Sequence, residues 1–543
     1  MRNHRGDRIT AASLPVDVCV IGGGATGAGC ALDAQLRRLK TTLVEAGDFA
    51  SATSSASTKM VHGGVRYLQE AATRLDINQY RLVEHALRER IHMLRNAPHL
   101  ARPLEFFIPC LNRWQEIYYG IGSKAYDWIA GKGSLLPSRF IARSEALRRL
   151  PALPPERVAA AVSYSDGQFD DSRYNLALIQ SFVSAGGTAL NYARVTGFER
   201  DSSGRLAAAL AEDCIGGRSV RVEARVFVNA TGPFSDSVRL LATPGVPPRI
   251  RPSKGVHVLF PLDGFPDDLA LLVPKTEDGR VIFAIPWLGR LLVGTTDDAV
   301  PIDSPMLTTR EEVKYLLRQL NVYLAKPLKV EDVVSAFAGM RPLVSSPNAQ
   351  DTKTLIRDDE VEVDPASGLV SILGGKWTTY RLMAERTINR VQEILGRAPT
   401  PARTHDYPLS GANGYTADYW RTLTPQVPET TARHLAAKYG TCAGEVLALI
   451  VEEPELSAQL SPDAPSIRAQ VVYAARNEAA ETIEDVLLRR IGLQFYSWRS
   501  ALAAAPTTAE LLGRELDWSA DRIAAAVADY TANLRHQMQL LGM

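Results

Sequence analysis

The stretch SSASTKMVHGGVRYLQE at residues 54–70 combines side chains that can do chemistry with others that leave room for it. A run of small and hydroxyl residues leads into a histidine, two glycines, an arginine and a tyrosine. Small residues let a backbone approach a large ligand closely, and arginine binds a dianionic phosphate through a fork of donors. Histidine has an ordinary pKa that suits a general base near neutral pH. The stretch therefore predicts a site in which a large ligand lies beside a bound anion.

A strand, helix and strand pattern at residues 16–48 must position such a ligand. Gly22, Gly24 and Gly27 form a G-x-G-x-x-G sequence between the first strand and the helix, and Glu45 ends the second strand. The glycines allow a tight turn, close approach of the backbone to a pyrophosphate and close packing of the helix on the strand. The helix directs its N-terminal amides at the phosphates, and the carboxylate can accept hydrogen bonds from ribose hydroxyls. This order of features predicts a dinucleotide site rather than a glycine-rich turn in an unrelated α/β fold.

Three features favour a tightly bound FAD over NAD. The glycine motif opens the chain, and a later strand, ARVFVNATGPFSD at 224–236, ends on small residues where the backbone can again approach a nucleotide. A third strand, followed by two glycines and a helix, lies at 368–391 and can place a helix N-terminus beside the cofactor ring. We find no second G-x-G-x-x-G sequence for NAD(P)H. The flavin is therefore expected to be reduced directly by a small substrate.

Composition and charge argue against several other classes of protein. The chain has 543 residues, enough for two or three domains, and its 61 basic and 60 acidic residues give a formal charge of +1. No net positive field draws it to nucleic acid. Its five cysteines form no C-x-x-C pair, so we expect neither a disulfide framework nor structural zinc. No segment reaches the roughly 18 apolar residues of a spanning helix, and we expect no signal peptide because no apolar region follows the basic N-terminus.

Clusters of carboxylates raise the question of a metal site. Asp166, Asp170 and Asp171 lie close together in the sequence, and the segment VGTTDD at 293–298 adds two more acids. No histidine or further acid joins them at ligand spacing. We therefore expect no metal. The three acids are assigned to caps or ion pairs, and 293–298 can line a substrate pocket.

Seven segments together carry a resemblance to a known family. They are DVCVIGGGATGAG, SSASTKMVHGGVRYL, YSDGQFDDSRYN, VNATGPFSD, IPWLGRLLVGTTD, GMRPLV and GGKWTTYR. They occur in the order expected of FAD-dependent glycerol-3-phosphate dehydrogenases, and the chain resembles the aerobic, quinone-reducing branch. The resemblance covers roughly residues 15–395 and extends weakly into the C-terminal region. The EF-hand loops expected of the mitochondrial relatives are absent from the sequence.

The resemblance implies oxidation of sn-glycerol 3-phosphate to dihydroxyacetone phosphate, with a hydride moving from C2 of the substrate to N5 of FAD. It also implies reoxidation by a membrane quinone and a peripheral position on the inner, cytoplasmic face of the cytoplasmic membrane, and it leaves a homodimer open. Two alternatives remain: a glycerol-3-phosphate oxidase that uses dioxygen, and another FAD-dependent 2-hydroxy-acid or amine oxidoreductase. The balanced charge counts against a flavin-containing nucleic-acid-binding protein.

By the same resemblance, fourteen residues bind the cofactor and four bind the substrate. The cofactor-binding residues are Gly22, Gly24, Gly27, Glu45, Ser54, Ser57, Thr58, Gly63, Gly64, Val195, Ala230, Gly232, Gly375 and Thr378. The substrate-binding residues are Arg66, Tyr67, Thr295 and Lys376. Of these, Arg66 and Tyr67 face the substrate phosphate. Lys376 lies just before a helix start, where its charge and the helix dipole both favour an anion.

Removal of a proton from the substrate hydroxyl calls for a base, and two histidines lie in the matched segments. His62 is preferred because Gly63 and Gly64 bring its backbone against the ring. His257, in SKGVHVLF, can instead orient the substrate or serve as a core histidine. Arg341 completes the catalytic set and by resemblance holds the substrate near its hydroxyl or carbonyl end.

The predicted fold class is α/β, with a Rossmann-like FAD-binding domain, a mixed-sheet substrate domain and an all-helical C-terminal domain. The C-terminal domain is predicted from helical periodicity, and the linker before it from its proline and glycine content. The predicted boundaries are 15–80, 155–245 and 340–396 for the discontinuous FAD-binding domain, 81–154 and 246–339 for the substrate domain, 397–414 for the linker and 415–543 for the helical domain.

The segment 112–140 mixes aromatic with basic side chains. They are Trp114, Tyr118, Tyr119 and Trp128 with Arg113, Lys124 and Lys132. Aromatic residues with flanking cations suit a membrane interface. The same composition also fits core aromatics with a charged outer face. Because the chain resembles a peripheral membrane dehydrogenase, we expect this segment to contact the cytoplasmic membrane.

Overall fold

The computed structural model describes residues 5–64, 77–131, 135–345 and 359–543. These residues form two large sheets and a C-terminal group of helices, and the predicted fold class is confirmed. The strands, in chain order, are β1 Val16–Ile21, β2 Thr41–Val44, β3 Met60–Val61, β4 Ala101–Cys110, β5 Arg139–Ala142, β6 Ala160–Phe169, β7 Thr188–Leu190, β8 Ala193–Arg200, β9 Leu206–Asp213, β10 Ser219–Asn229, β11 Ile250–Pro261, β12 Leu269–Val273, β13 Ile282–Trp287, β14 Arg290–Gly294, β15 Asp298–Ala299, β16 Ser335–Val344, β17 Asp359–Val363 and β18 Val370–Gly374. The helices, in chain order, are α1 Arg5–Ala12, α2 Ala25–Leu36, α3 Ile77–Asn96, α4 Arg113–Ala130, α5 Arg143–Arg149, α6 Asp171–Ser184, α7 Ser235–Ala242, α8 Arg310–Leu320, α9 Tyr380–Ile394, α10 Glu429–Tyr439, α11 Ala443–Glu452, α12 Ala469–Asn477, α13 Leu493–Tyr496, α14 Trp498–Glu515 and α15 Ala520–Leu541.

The first sheet, called the cofactor sheet, has the strand order β17, β18, β10, β1, β2, β7, with β9 attached to β10 and β8 to β9. β1 pairs in parallel with β2 and β10, and β10 pairs in parallel with β18. β2 is fully buried and β1 nearly so, as their apolar, β-branched sequences require. Helix α2 packs against α6 and α9. The carboxyl ends of the parallel strands therefore meet along one edge, where such sheets bind ligands.

The second sheet, called the substrate sheet, has the order β15, β11, β14, β13, β12, β4, β6, β3, with β16 beside β11 and β5 beside β6. Its pairs are antiparallel, except that β4 and β12 run parallel. β3 has two residues and pairs with the end of β6. His62 directly follows this short strand and therefore lies at the edge of the substrate sheet.

The structure moves two of the predicted domain boundaries. β6 is an inner strand of the substrate sheet, although the prediction assigned 155–245 to the FAD-binding domain. β16 pairs with β11 along its whole length, whereas the predicted boundary divided it at residue 340. β6 is buried on both faces, so its sequence lacks the alternation of apolar and polar residues that marks a half-exposed antiparallel strand.

The predicted linker at 397–414 contains no helix or strand and packs against helices α3 and α6. The Ser410 amide donates to Ser181 Oγ at 2.9 Å, and Asn96 Nδ2 donates to the Thr404 carbonyl at 2.9 Å. Helices α10 to α15 follow and form the helical domain. Among all the helices that the structure describes, none combines the length and apolar character needed to cross a bilayer.

Buried ion pairs join the helical domain to the cofactor sheet. Asp48, which follows β2, accepts hydrogen bonds from Arg490 Nη2 at 2.7 Å and from Arg489 Nε at 2.6 Å. Arg173 in α6 pairs with Glu478 at 2.7 Å. All five side chains are buried. Removing one member would leave a buried charge uncompensated, so these pairs tie the two regions together.

Candidate active site

The turn after β1 leaves no room for side chains. Gly22 has a φ of +112°, and a Cβ there would lie 2.6 Å from the Ala230 carbonyl oxygen. A Cβ on Gly27 would lie 1.9 Å from the Gly22 carbonyl oxygen, and one on Gly24 would lie 2.9 Å from Ser54 Oγ. Because α2 begins directly after Gly24, the turn presents a helix N-terminus to a pyrophosphate.

The carboxylate predicted to bind ribose lies at the end of β2. Glu45 Oε2 accepts a hydrogen bond from the Gly23 amide at 2.6 Å, and Oε1 accepts one from the Gly47 amide at 2.8 Å. Burial raises the pKa of Glu45, and the two amides oppose that shift. A carboxylate fixed beside a glycine turn fits a dinucleotide. Val195, whose contact with the cofactor stays a prediction, lies on β8 and packs in the apolar cluster that contains Val44.

Two further segments end beside this turn. After β10, the Ala230 amide donates to the Ile21 carbonyl at 2.8 Å, and Gly232 follows with a φ of +56°. After β18, Gly375 has a φ of +84°, and a Cβ there would lie 2.3 Å from Met383 Cε. The ends of β1, β10 and β18 thus form one edge with little side-chain bulk, which suits a large ligand lying against backbone.

The segment after β18 also reaches the loop that contains Ser54. Trp377 Nε1 donates to the Ser54 carbonyl at 3.0 Å, and the Thr378 hydroxyl accepts a hydrogen bond from the His62 amide at 3.3 Å. Lys376 lies directly before this turn. Segments that are far apart in the sequence are therefore brought together at the carboxyl edge of the cofactor sheet.

The hydroxyl residues of this loop divide their contacts among different partners. Ser54 Oγ accepts a hydrogen bond from the first amide of α2 at 3.0 Å. Thr58 Oγ1 lies 2.9 Å from His257 Nε2. Ser57 donates its hydroxyl to Asp171 Oδ2 at 2.7 Å. Ser57 therefore anchors the loop, and its contact with the cofactor stays a prediction.

The sequence pattern did not predict the role of Lys59 in this loop. Its side chain is fully buried, and Nζ lies 2.6 Å from Asp171 Oδ1. The rings of Trp287, Phe337 and Phe495 surround the same nitrogen at 4.5 to 5.0 Å from their centroids. Burial lowers the pKa of Lys59, and Asp171 opposes that shift. The one signal in the sequence is a lysine placed directly before a buried strand.

β3 leads into the residues predicted to face the flavin. His62 is partly buried, and Gly63 is buried and donates its amide hydrogen to Tyr126 Oη at 2.8 Å. The next glycine has a φ of +85°, so the chain turns sharply here. Arg66 and Tyr67 lie outside the described residues, and their contacts with a substrate phosphate stay predictions.

His257 lies on β11 in an enclosed position. Only 2% of the residue is exposed, and its ring stacks on Phe337 with centroids 4.9 Å apart. Burial holds the pKa of His257 well below its ordinary value, and the charges of Arg341 and Lys59 lower it further. The ring is therefore neutral at physiological pH.

Arg341 is held in a fixed orientation on β16. Its Nη2 donates to Thr295 Oγ1 and to the Thr296 carbonyl, both at 3.1 Å, and its Nη1 donates to Asp297 Oδ1 at 3.3 Å. The side chain is 25% exposed. The segment predicted to line a substrate pocket thus orients a cation that a ligand can still reach.

The acids near the start of α6 serve in caps and ion pairs. Asp170 caps the helix by accepting from its third amide at 3.1 Å and pairs with Lys438 at 2.6 Å. Asp166 pairs with Arg90 at 2.6 Å. Within the part of the chain that the structure describes, no three His, Cys, Asp or Glu side chains are grouped to hold a metal ion.

Known proteins share the fold and the sequence of this chain. A family model for FAD dependent oxidoreductases matches residues 17–381, and one for the C-terminal domain of alpha-glycerophosphate oxidase matches residues 402–523. The glycerol-3-phosphate dehydrogenase of Bacillus halodurans, solved as a complex with FAD, aligns with a TM-score of 0.77 at 29% identity, covering 99% of this chain and 97% of that one. L-alpha-glycerophosphate oxidase of Mycoplasma pneumoniae, at 18% identity and a TM-score of 0.53 over 73% of this chain and 98% of that one, shares the fold. Fold and site together define an FAD-dependent oxidoreductase.

Relatives that align along most of this chain identify its family within that class. The probable mitochondrial glycerol-3-phosphate dehydrogenase of Caenorhabditis elegans is 42% identical over 513 residues, which cover 93% of this chain and 71% of that protein. The mitochondrial enzyme of the same name from Rattus norvegicus is 40% identical over 540 residues, covering 96% and 73%. The chain belongs to the FAD-dependent glycerol-3-phosphate dehydrogenase family, so the predicted resemblance and the predicted cofactor are confirmed.

We expect the Gly24→Ala variant to bind FAD about tenfold more weakly, a loss of roughly 1.4 kcal/mol. The new methyl group would lie 2.9 Å from Ser54 Oγ and displace the hydroxyl that holds the first amide of α2. FAD affinity is measured by the quenching of flavin fluorescence on titration into apoprotein. Gly197→Ala is the matched control, because nothing lies within 4 Å of a Cβ at Gly197. Equal affinities of the two variants would contradict the assignment of the turn.

Proposed function

We propose that the protein oxidises sn-glycerol 3-phosphate to dihydroxyacetone phosphate. The observation that carries this proposal is Arg341, whose guanidinium is fixed by three hydrogen bonds and yet stays one quarter exposed. Held in this way, the guanidinium can bind the substrate near its hydroxyl or carbonyl end, and the negative charge of the phosphate calls for a second cation. Lys376, beside the turn that contacts the Ser54 loop, supplies a second cation. The names of the relatives, which are glycerol-3-phosphate dehydrogenases, support the same substrate.

Bound FAD supplies the acceptor for the two electrons. The glycine turn, the N-terminus of α2 and Glu45 would hold its nucleotide end. We assign proton removal from the substrate hydroxyl to His62, which is only partly buried in the loop after β3. His257 is enclosed and neutral, and its Nε2 contacts Thr58 Oγ1, so it helps to fix the segment that precedes β3.

Relative rates with three reductants separate this function from that of a 2-hydroxy-acid oxidoreductase. With an artificial electron acceptor in excess, we expect glycerol 3-phosphate to be oxidised at least about 10³-fold more efficiently than glycerol or L-lactate. Glycerol lacks the charged group that these cations would bind, and L-lactate carries a single negative charge on a carboxylate in place of the phosphate dianion. Comparable efficiency with glycerol would show that the site does not recognise the phosphate group. Preference for L-lactate would contradict the proposed substrate.

We further propose that the electrons pass to a membrane quinone and that the protein lies on the inner face of the cytoplasmic membrane. The support comes from α4, where Trp114 is 81% exposed, Trp128 is 78% exposed and Ile121 is 65% exposed. Together with Ile117, these residues follow helical spacing and share one face. An exposed apolar face with tryptophans suits the lipid interface. The two tryptophans lie outside the core, contrary to the alternative interpretation of this segment.

We expect the Trp114→Ser/Trp128→Ser double variant to bind vesicles of anionic phospholipid about tenfold more weakly than the wild type. Both side chains are exposed, so their removal should leave folding and flavin content unchanged. Co-sedimentation with vesicles measures the bound fraction. Val451→Ser is the control, because Val451 is 76% exposed on the separate helix α11. Unchanged vesicle binding together with loss of a dimer in analytical ultracentrifugation would assign this face to a second copy of the chain instead.

A further inference from the structure

A buried chain of hydrogen bonds lies beneath the loop that carries His62. The Gly63 amide donates to Tyr126 Oη at 2.8 Å, and the same oxygen lies 2.9 and 3.1 Å from the two carboxylate oxygens of Asp166. Arg90 Nη1 donates to Asp166 Oδ1 at 2.6 Å. Tyr126, Asp166 and Arg90 are each no more than 2% exposed. The chain therefore runs from a loop amide to a buried cation without contact with bulk water.

The direction of this hydrogen-bond chain follows from its charges. Burial raises the pKa of Asp166 to about 6, and Arg90 opposes that shift, so the group is a carboxylate at neutral pH. A carboxylate only accepts, so the Tyr126 hydroxyl donates to Asp166 and its oxygen accepts the Gly63 amide hydrogen. Burial raises the pKa of Tyr126 well above its ordinary value, which keeps the phenol protonated. Each group has one role, and reversing any bond would leave a buried polar atom unsatisfied.

The loop needs such an anchor because its own residues supply little to hold it. Gly63 has no side chain, Gly64 adopts a φ of +85° that glycine alone adopts readily, and β3 before them has two residues. The anchoring side chains come from α3, α4 and β6. Three separate elements of the molecule therefore fix one backbone amide next to His62.

We propose that Tyr126, Asp166 and Arg90 are positioning residues for the oxidation, because they fix the Gly63 amide and thereby hold the His62 loop at the cofactor site. The inference rests on the proposed function, in which His62 accepts the substrate proton. The three side chains act through the loop. A displacement of reacting groups by about 1 Å can slow an enzyme by about 100-fold, so an anchor of this kind affects the rate even without touching the substrate.

The Tyr126→Phe variant of the holoenzyme tests this inference, because it removes only the phenol oxygen. At saturating glycerol 3-phosphate, we expect the rate of flavin reduction to be at least about tenfold lower than in the wild type, with KM almost unchanged. We also expect the Gly63 amide to exchange with deuterium faster, as measured by mass spectrometry of the peptide that contains it. The exchange readout needs no substrate and reports the hydrogen bond itself.

Tyr164→Phe is the matched control. Tyr164 is a buried neighbour whose ring centroid lies 6.2 Å from that of Tyr126, and its hydroxyl has no hydrogen-bond partner among the described residues. This variant should match the wild type in flavin reduction and in Gly63 exchange. Asp166→Asn keeps an acceptor for the Tyr126 hydroxyl, so it should leave Gly63 better protected than Tyr126→Phe does.

The possible outcomes separate the two levels of the proposal. The positioning role is overturned if the Gly63 amide of Tyr126→Phe exchanges at the wild-type rate, or if the flavin of this variant is reduced at the wild-type rate. It is also overturned if Tyr164→Phe loses as much rate as Tyr126→Phe. If glycerol 3-phosphate reduces neither the wild type nor any variant, the proposed function fails, whereas faster exchange in Tyr126→Phe alone would still support the anchoring of the loop.

Discussion

The Arg341→Ala variant is expected to lower kcat/KM for glycerol 3-phosphate by about 100- to 1,000-fold, mainly through a higher KM, while FAD stays bound. The effect is large because the guanidinium is preorganised by Thr295, Thr296 and Asp297 before substrate arrives. Its removal takes away the fixed cation and leaves the Asp297 carboxylate to repel an anionic substrate. Steady-state kinetics measure the change in kcat/KM. The visible flavin spectrum of the purified variant shows whether FAD stays bound.

Two further variants define what Arg341 contributes. Arg341→Lys keeps the charge but loses the fork of donors, so its kcat/KM should fall between those of the wild type and Arg341→Ala. Arg251→Ala removes an exposed arginine from the neighbouring strand β11 and should leave kcat/KM unchanged. If Arg341→Ala loses its flavin or fails to fold, Arg341 is a structural residue, and its assignment to substrate binding is contradicted.

We expect the Arg490→Met substitution to lower the free energy of unfolding by about 3 kcal/mol. This is the low end of the range for breaking a buried ion pair. Arg490 and Asp48 are both buried, and methionine fills similar space without replacing the charge. The loss stays at the low end because Arg489 Nε still donates to Asp48 at 2.6 Å. Asp48 lies in the turn that follows Glu45, so FAD should also be released at a lower urea concentration. Urea titrations followed by circular dichroism and flavin fluorescence measure both changes.

Arg221→Met provides the comparison for this stability prediction. Arg221 pairs with Glu199 and Glu223 on the surface, where ion pairs contribute little because water screens them. Its urea midpoint should equal that of the wild type. An Arg490→Met protein as stable as the wild type would contradict the conclusion that the helical domain supports the cofactor site.

The cofactor turn could be predicted from the sequence because its determinants are local. Gly22, Gly24, Gly27 and Glu45 lie in one strand–helix–strand unit, and each follows a steric or hydrogen-bonding rule that neighbouring residues set. The helical C-terminal region could be predicted for the same reason, since the spacing of apolar residues along a helix reports its buried face.

The anchors of the site could not be predicted, because they depend on contacts between distant segments. Lys59 is enclosed by rings from β13, β16 and α13, and Tyr126 on α4 meets a loop amide that follows β3. The local sequence around each residue carries no sign of its partner. The aromatic residues of α4 show the same limit, because tertiary packing decides which face of an amphipathic helix is exposed, and here Trp114 and Trp128 lie outside.

Anaerobic reduction of the bound flavin by glycerol 3-phosphate tests the central claim most directly. We expect the visible absorbance of FAD to bleach when the substrate is added without oxygen, and to recover much faster on addition of a soluble quinone than on admission of air. Faster recovery in air would assign the protein as an oxidase with the same substrate. A yellow, folded protein that glycerol 3-phosphate does not bleach would contradict the claim that this chain oxidises it.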